Sequence, residues 1–170
     1  MRVSLAILIL AAGPLLSQTP SDYQSAMQQG RRAIIAGQYG DAVSAYQRAA
    51  DLEPTSVAPR MALADTLMRQ YDPSSMASEN LAIASRSKAE FLHVLEIEPR
   101  HSMAAALIGV LLFGQASAAA DAQEQTRLLE ESRDWYRRAV AIDARSRQGF
   151  YALCRIAWLR WSDYQGSLFR

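Results

Sequence analysis

The chain has 170 residues, half of them hydrophobic and 21% charged, with only 8 Gly and 6 Pro, so neither a collagenous nor a disordered class fits. Its 30 alanines against 19 Val, Ile and Thr favour helix over strand and exclude an all-β fold. With 18 basic and 17 acidic side chains, bulk charge offers no partner to nucleic acid or to an anionic membrane surface. Cys154 is the single cysteine and His93 and His101 the only histidines, which excludes an internal disulfide framework and leaves too few soft ligands for zinc. No metal and no cofactor is expected.

The first segment, Met1 to Ser17, reads MRVSLAILILAAGPLLS: one charge at Arg2, an apolar run of 14 residues from Val3 to Leu16, and small or polar residues after it. That is the layout of an export signal, with cleavage expected near Ser17. The run falls short of the roughly 20 residues that span a bilayer as a helix, so no stable membrane span is expected after signal removal. The alternative is an uncleaved N-terminal anchor. Localisation is accordingly expected to be periplasmic or secreted, or else membrane-anchored through this segment.

Beyond it the chain repeats itself. AADLEP at Ala49 to Pro54, VLEIEP at Val94 to Pro99 and AVAIDA at Ala139 to Ala144 follow one another at intervals of 45 residues. Upstream of each stands an aromatic, Tyr46, Phe91 or Tyr136, and four residues before that a small residue, Ala42, Ser87 or Ser132, which shares its helix face. A second set of apolar runs carries Leu63, Ile108 and Leu153 in register, each followed by a small residue, Ala64, Gly109 or Cys154. The unit is therefore a helix pair, in which the small residue admits the partner helix and the aromatic fills the space.

These residues resemble the tetratricopeptide repeat family. Tyr23 to Ser56 is the strongest copy, with Gly30, Gly37, Tyr39, Ala42, Tyr46, Ala49 and Pro54 in the family's order. Ala26, Gln29 and Ala33 depart from it where the family often has Trp, Leu and Tyr. The resemblance implies an all-α chain, a right-handed α-α superhelix of helix-turn-helix repeats: unit 1 at 23–56, unit 2 at 57–101, unit 3 at 102–146, and a terminal helix with tail at 147–170. Units 2 and 3 carry 11 extra residues each, about three helical turns, which lengthen the second helix without rotating its apolar face. Ser21 with Gln24 predicts a capping box, Asp72-Pro73 predicts the start of a long helix running to Glu98, and Ala116 to Ala122 predicts a turn.

No residue pattern announces catalysis. Cys154 occupies a small-residue slot and is expected as a buried thiol; His93, with Glu90 and Glu96 beside it, reads as part of a charged face; Glu130 and Glu131 with Arg127, Arg133, Arg137 and Arg138 read as ion pairs within one exposed helix. Binding is the better expectation. The resemblance implies a concave groove lined by the first helices, at Gln24, Met27, Arg31 and Ile34; Ala58, Met61, Asp65 and Met68; Met103, Ala106, Val110 and Phe113; and Gln148, Tyr151, Arg155 and Trp158. Methionine there suits an apolar peptide or helix face. The family's chaperone-binding subclass grips an acidic C-terminus with polar residues where Met27, Met61 and Met103 stand, so no such clamp is expected. After the terminal helix only SDYQGSLFR remains, so Trp158, Leu159 and Trp161 are either covered by Tyr164, Leu168 and Phe169 or left for a partner. The chain reads as a protein-interaction scaffold of the cell envelope, or alternatively as a structural subunit that self-associates by filling its groove with its own copies.

Overall fold

The structure, a computed structural model, describes residues 21–75, 77–145, 151, 153–155, 157 and 158. The expected export signal at 1–17, and Gln148, Leu159, Trp161, Tyr164, Leu168 and Phe169, lie outside the described residues. Six helices follow in order: α1 (Asp22–Ile35), α2 (Tyr39–Leu52), α3 (Val57–Gln70), α4 (Ser78–Ile97), α5 (Ser102–Ala118) and α6 (Ala122–Ile142). The described residues between 151 and 158 are helical too. No helix among the described residues is long and apolar enough to cross a membrane.

Local bonds set several of the helix ends. Ser21 Oγ accepts a hydrogen bond from the Gln24 amide at 3.2 Å and so caps α1. Its far end closes on Gly37, whose φ of 73° lies in the left-handed region, while the Gly37 and Gln38 amides donate to Ile34 and Ala33 carbonyls. Both bonds need the chain to reverse at a residue without a Cβ. Asp121 Oδ2 accepts from the Glu124 amide at 2.8 Å and caps α6.

Two boundaries differ from the sequence expectation. Helix α4 starts at Ser78, not near Pro73, because Asp72 to Ser75 is tied off as a turn. The Asp72 carboxylate accepts from the Ser74 amide and hydroxyl, bonds that hold its pKa below the ordinary value, and the buried Asn80 side chain bridges the Asp72 amide, the Asp72 carbonyl and the Ser75 carbonyl. Helix α5 runs on to Ala118, leaving only Ala119 to Asp121 as a turn, since alanine favours extending the helix.

The helices pair as α1 with α2, α3 with α4 and α5 with α6, and successive pairs meet through α2 with α3 and α4 with α5. Inside each pair the small-residue slot and the aromatic meet as expected. A Cβ built on Gly30 would lie 2.5 Å from the Tyr46 ring, and one on Gly109 would lie 2.7 Å from the Tyr136 ring. In the middle pair the phenyl ring of Phe91 shares its apolar cluster with Ala64, both fully buried. The eleven extra residues of units 2 and 3 fall between the two partners of this contact, yet the contact survives. They do not all lengthen the second helix as expected, since α4 and α6 have 20 and 21 residues against 14 in α2, and the remainder lies in the α3–α4 connection and in α5, which has 17 residues against 14 in α1. Ser87 Oγ donates to the Ala64 carbonyl at 2.9 Å, and Ser132 Oγ to the Gly109 carbonyl at 2.7 Å, pinning the second helix to the first.

Polar ties act both within a pair and between pairs. Arg60 Nη1 donates to Glu90 at 3.1 Å with both side chains largely buried, Arg86 donates to Gln47 at 2.9 Å, and Lys88 of α4 pairs with Glu131 of α6. Arg127 does pair within α6, with Glu124 and Glu131. The expectation of purely intrahelical pairs is corrected at Glu131, which also reaches across to the neighbouring unit.

Candidate functional site

On α3, Met61, Asp65 and Met68 stand four and three residues apart, and on α5 Met103, Val110 and Phe113 repeat that spacing at seven and three; all six are partly exposed. Spacing of three, four and seven keeps each set on one helix face. Between these faces, the Tyr71 to Pro73 turn and the helical residues Tyr151 and Arg155 lies a cleft of about 360 Å³. Its walls bring together Met68, Val110, Phe113, Tyr151 and Arg155, five of the residues that the sequence assigned to a groove.

Aromatic and cationic groups organise one end of the cleft. Phe113 and Trp158 meet edge to face with ring centroids 5.2 Å apart. The Arg155 guanidinium lies 3.7 Å from the Phe113 ring centroid and 5.2 Å from that of Trp158. Its Nε is enclosed and donates no hydrogen bond among the described residues. Tyr151 sits edge-on to Tyr136 at 6.3 Å. The Tyr136 side chain is fully buried, and burial pushes its phenol up to about 12; Tyr151 adds to the shift, while Arg155 and Ser132 oppose it.

The rest of the predicted groove divides differently. Arg31 is exposed, and Asp65 accepts from Arg69 Nε at 2.8 Å, so this stretch is polar. Tyr46 presents its hydroxyl to both: burial raises its pKa, with Arg31 opposing and Asp65 adding. Met61 and Met103 are partly buried beside the cleft without lining it. Met27 is a correction: it is 8% exposed and belongs to the apolar cluster that also holds Leu63 and Leu67 of α3.

Cys154 is a second correction. Its thiol is exposed rather than buried, and Leu153 beside it is 44% exposed, whereas the register partners Leu63 and Ile108 are fully enclosed. The sequence assigned both to the slot of Leu63 and Ile108 and their small neighbours, but among the described residues no second helix follows to cover them. His93 is exposed and bonds Glu96 at 2.9 Å, but the expected charged face is corrected at Glu90, which is buried and paired with Arg60 of α3. Among the described residues no His, Cys, Asp and Glu cluster could hold a metal ion. Tyr71, Pro73, Leu111, Gly114 and Ser117 complete the lining of the cleft and were missed. Reading Asp72-Pro-Ser-Ser as a turn rather than a helix start would have freed Pro73 to face the cleft.

No family model and no curated protein matches the sequence. Solved structures do match. The first tetratricopeptide domain of Spaghetti (RPAP3), solved bound to the HSP90 peptide SRMEEVD, is similar at 13% identity and a TM-score of 0.61, over 85% of this chain and 94% of that one. The first such domain of human RPAP3 gives 15% identity and a TM-score of 0.61 over 86% of this chain and 98% of that one. An Arabidopsis domain, that of OM64, gives 14% and 0.58 over 80% and 94%. With the helix pairs, the small-residue slot and the aromatic knob in place, the chain has the tetratricopeptide-repeat fold.

Proposed function

We propose that the chain is a protein-interaction scaffold of the cell envelope that holds an apolar peptide or helix in the cleft between α3, α5, Tyr151 and Arg155, and that it acts by binding rather than catalysis. The observation that carries this reading is the convergence of Met68, Val110, Phe113, Tyr151 and Arg155, from three separate segments, on one cleft of about 360 Å³. The RPAP3 domain of similar fold was solved with a peptide, which supports peptide binding as a use of such a surface. Placement in the envelope rests on the layout of residues 1–17, and the mature chain of protein recovered from that compartment is expected to begin near Gln18 by mass spectrometry.

The test is selection of random displayed peptides on the wild-type chain, with Val110→Asp as comparator. A charge in the middle of the cleft must be desolvated by any apolar ligand, so enriched peptides should lose the variant while its helicity stays unchanged. Peptides that bind both proteins equally would remove the cleft as the site.

A second reading has an observation of its own. Leu153 and Cys154 leave exposed, beside Trp158, a face that units 2 and 3 bury. Self-association through that face predicts a dimer by light scattering that Leu153→Asp returns to monomer; a wild-type monomer at all concentrations would exclude it.

A further inference from the structure

Resting on the docking reading above, we propose a second anchor point for the same partner: a cavity of about 210 Å³ that shares Tyr71 with the cleft receives a second apolar side chain of the peptide whose first fills the cleft. Tyr71, on which α3 ends, is a wall of both spaces. On α5 the walls divide by helix face. Val110, Gly114 and Ser117, four and three residues apart, border the cleft, while Gln115 and Ala119, four apart, border the second cavity. A Cβ on Gly114 would lie 3.6 Å from the Tyr71 ring, so the ring rests against α5 where the two faces adjoin.

The second cavity is a product of the residues that units 2 and 3 add. In unit 1, α1 ends at Ile35, five residues after Gly30, and α2 begins at Tyr39, seven before Tyr46. Counted from the matching residues, the cavity walls all lie farther out. Tyr71 is seven after Ala64, Gln115 and Ala119 are six and ten after Gly109, Leu81 is ten before Phe91, and Leu128 is eight before Tyr136. Leu81 and Leu128 belong to the second helices, so the cavity stands at the edge of the array and not on the face of its first helices.

The walls select an apolar, uncharged occupant. Tyr71, Leu81, Ala119 and Leu128 supply apolar surface, and the two charges present, Glu124 and Arg127, hold each other through two bonds of 2.7 and 2.6 Å. With about 210 Å³ the space is smaller than the roughly 300 Å³ at which sites for free small molecules begin, so it suits a side chain of a ligand held elsewhere. The shared wall makes that ligand the one in the cleft. Alternate residues of an extended segment, about 7 Å apart, or helical residues four apart, about 6 Å along the axis, can straddle a single ring.

The experiment uses the full chain and the random-peptide selection already described, followed by the best-enriched peptide and a twin whose second apolar residue is Ala. Enriched peptides should carry two apolar residues two to four positions apart. On the wild-type chain the twin should bind about tenfold to a hundredfold more weakly, as expected for one buried apolar side chain. Ala119→Trp, which fills the cavity, and Leu81→Asp, which charges it, should bind peptide and twin alike, with the twin unchanged from wild type. Methyl signals of Leu81 and Leu128 in the wild-type chain give a reading that needs no variant: they should move with the peptide and stay still with the twin. Enriched peptides with a single apolar residue that still lose Val110→Asp would overturn the second anchor and leave the docking reading standing. Peptides indifferent to Val110→Asp would overturn both. Leu81 and Leu128 signals that stay still at saturation, or a peptide bound as tightly by Ala119→Trp as by wild type, would place the second side chain elsewhere and refute the assignment.

Discussion

Gly109 and Gly114 lie in the same helix, five residues apart, and the structure assigns alanine opposite effects at the two positions. Both substitutions gain the same helix propensity, about 1 kcal/mol. At Gly114 the new Cβ would meet Tyr71 and Pro73 at 3.6 to 3.7 Å, ordinary contact, so the gain is kept. At Gly109 it would sit 2.7, 2.8 and 3.1 Å from three atoms of the Tyr136 ring. That ring is fully buried and cannot swing aside, so helix and ring must separate, an overpacking cost of about 1 to 3 kcal/mol. Gly114→Ala should therefore be stabilised by up to about 1 kcal/mol, and the two variants should differ by about 1 to 3 kcal/mol. In a chain of 170 residues each kcal/mol moves the melting temperature by about 2 to 4 °C. Urea and thermal melts followed by circular dichroism measure the gap directly. If the two variants shift together to within about 0.5 kcal/mol, the scatter of surface changes, the aromatic is not locked over the small-residue slot.

Tyr46 is 5% exposed over Gly30, so Tyr46→Ala should open a cavity costing about 3 to 5 kcal/mol in the same melts. Ser132→Ala removes the 2.7 Å bond to the Gly109 carbonyl and should cost about 0.5 to 1.5 kcal/mol, a modest loss because Ala42 fills the equivalent slot of unit 1. Tyr136 has a folded pKa raised from 10.0 to about 12, so its stabilising contribution is complete below pH 10 and is lost as pH climbs toward 12. Tyrosinate absorbance should show this ring ionising together with unfolding in that window, whereas ionisation near pH 10 in the folded protein would contradict its burial.

Much of this architecture was legible because repetition amplifies weak signals. Tyr46, Phe91 and Tyr136 are ordinary aromatics singly, but their common spacing from Ala42, Ser87 and Ser132 defines a helix face three times over. The groove was half legible. Periodicity places Met68, Val110 and Phe113 on outward faces, yet it cannot say that Met27 has Leu63 and Leu67 in its apolar cluster, since that depends on how closely small residues let α3 approach. Helix ends were decided by bonds that periodicity does not encode. Asn80, eight residues from Asp72, reaches back to both backbone groups of that residue and fixes where α4 begins. Cys154 was expected buried by its register with Ala64 and Gly109, but it is exposed, and among the described residues no second helix follows to cover it.

The central claim, that the cleft receives a ligand, is tested most directly by the methionine methyl groups. Methyl-labelled protein titrated with the best-enriched peptide should show the Met68 signal moving most, because its side chain lines the cleft, with smaller shifts at Met61 and Met103 on the adjoining faces. Met27, enclosed in the first apolar cluster, should stay still. A titration in which binding saturates while Met68 stays unshifted would place the ligand elsewhere and contradict the account.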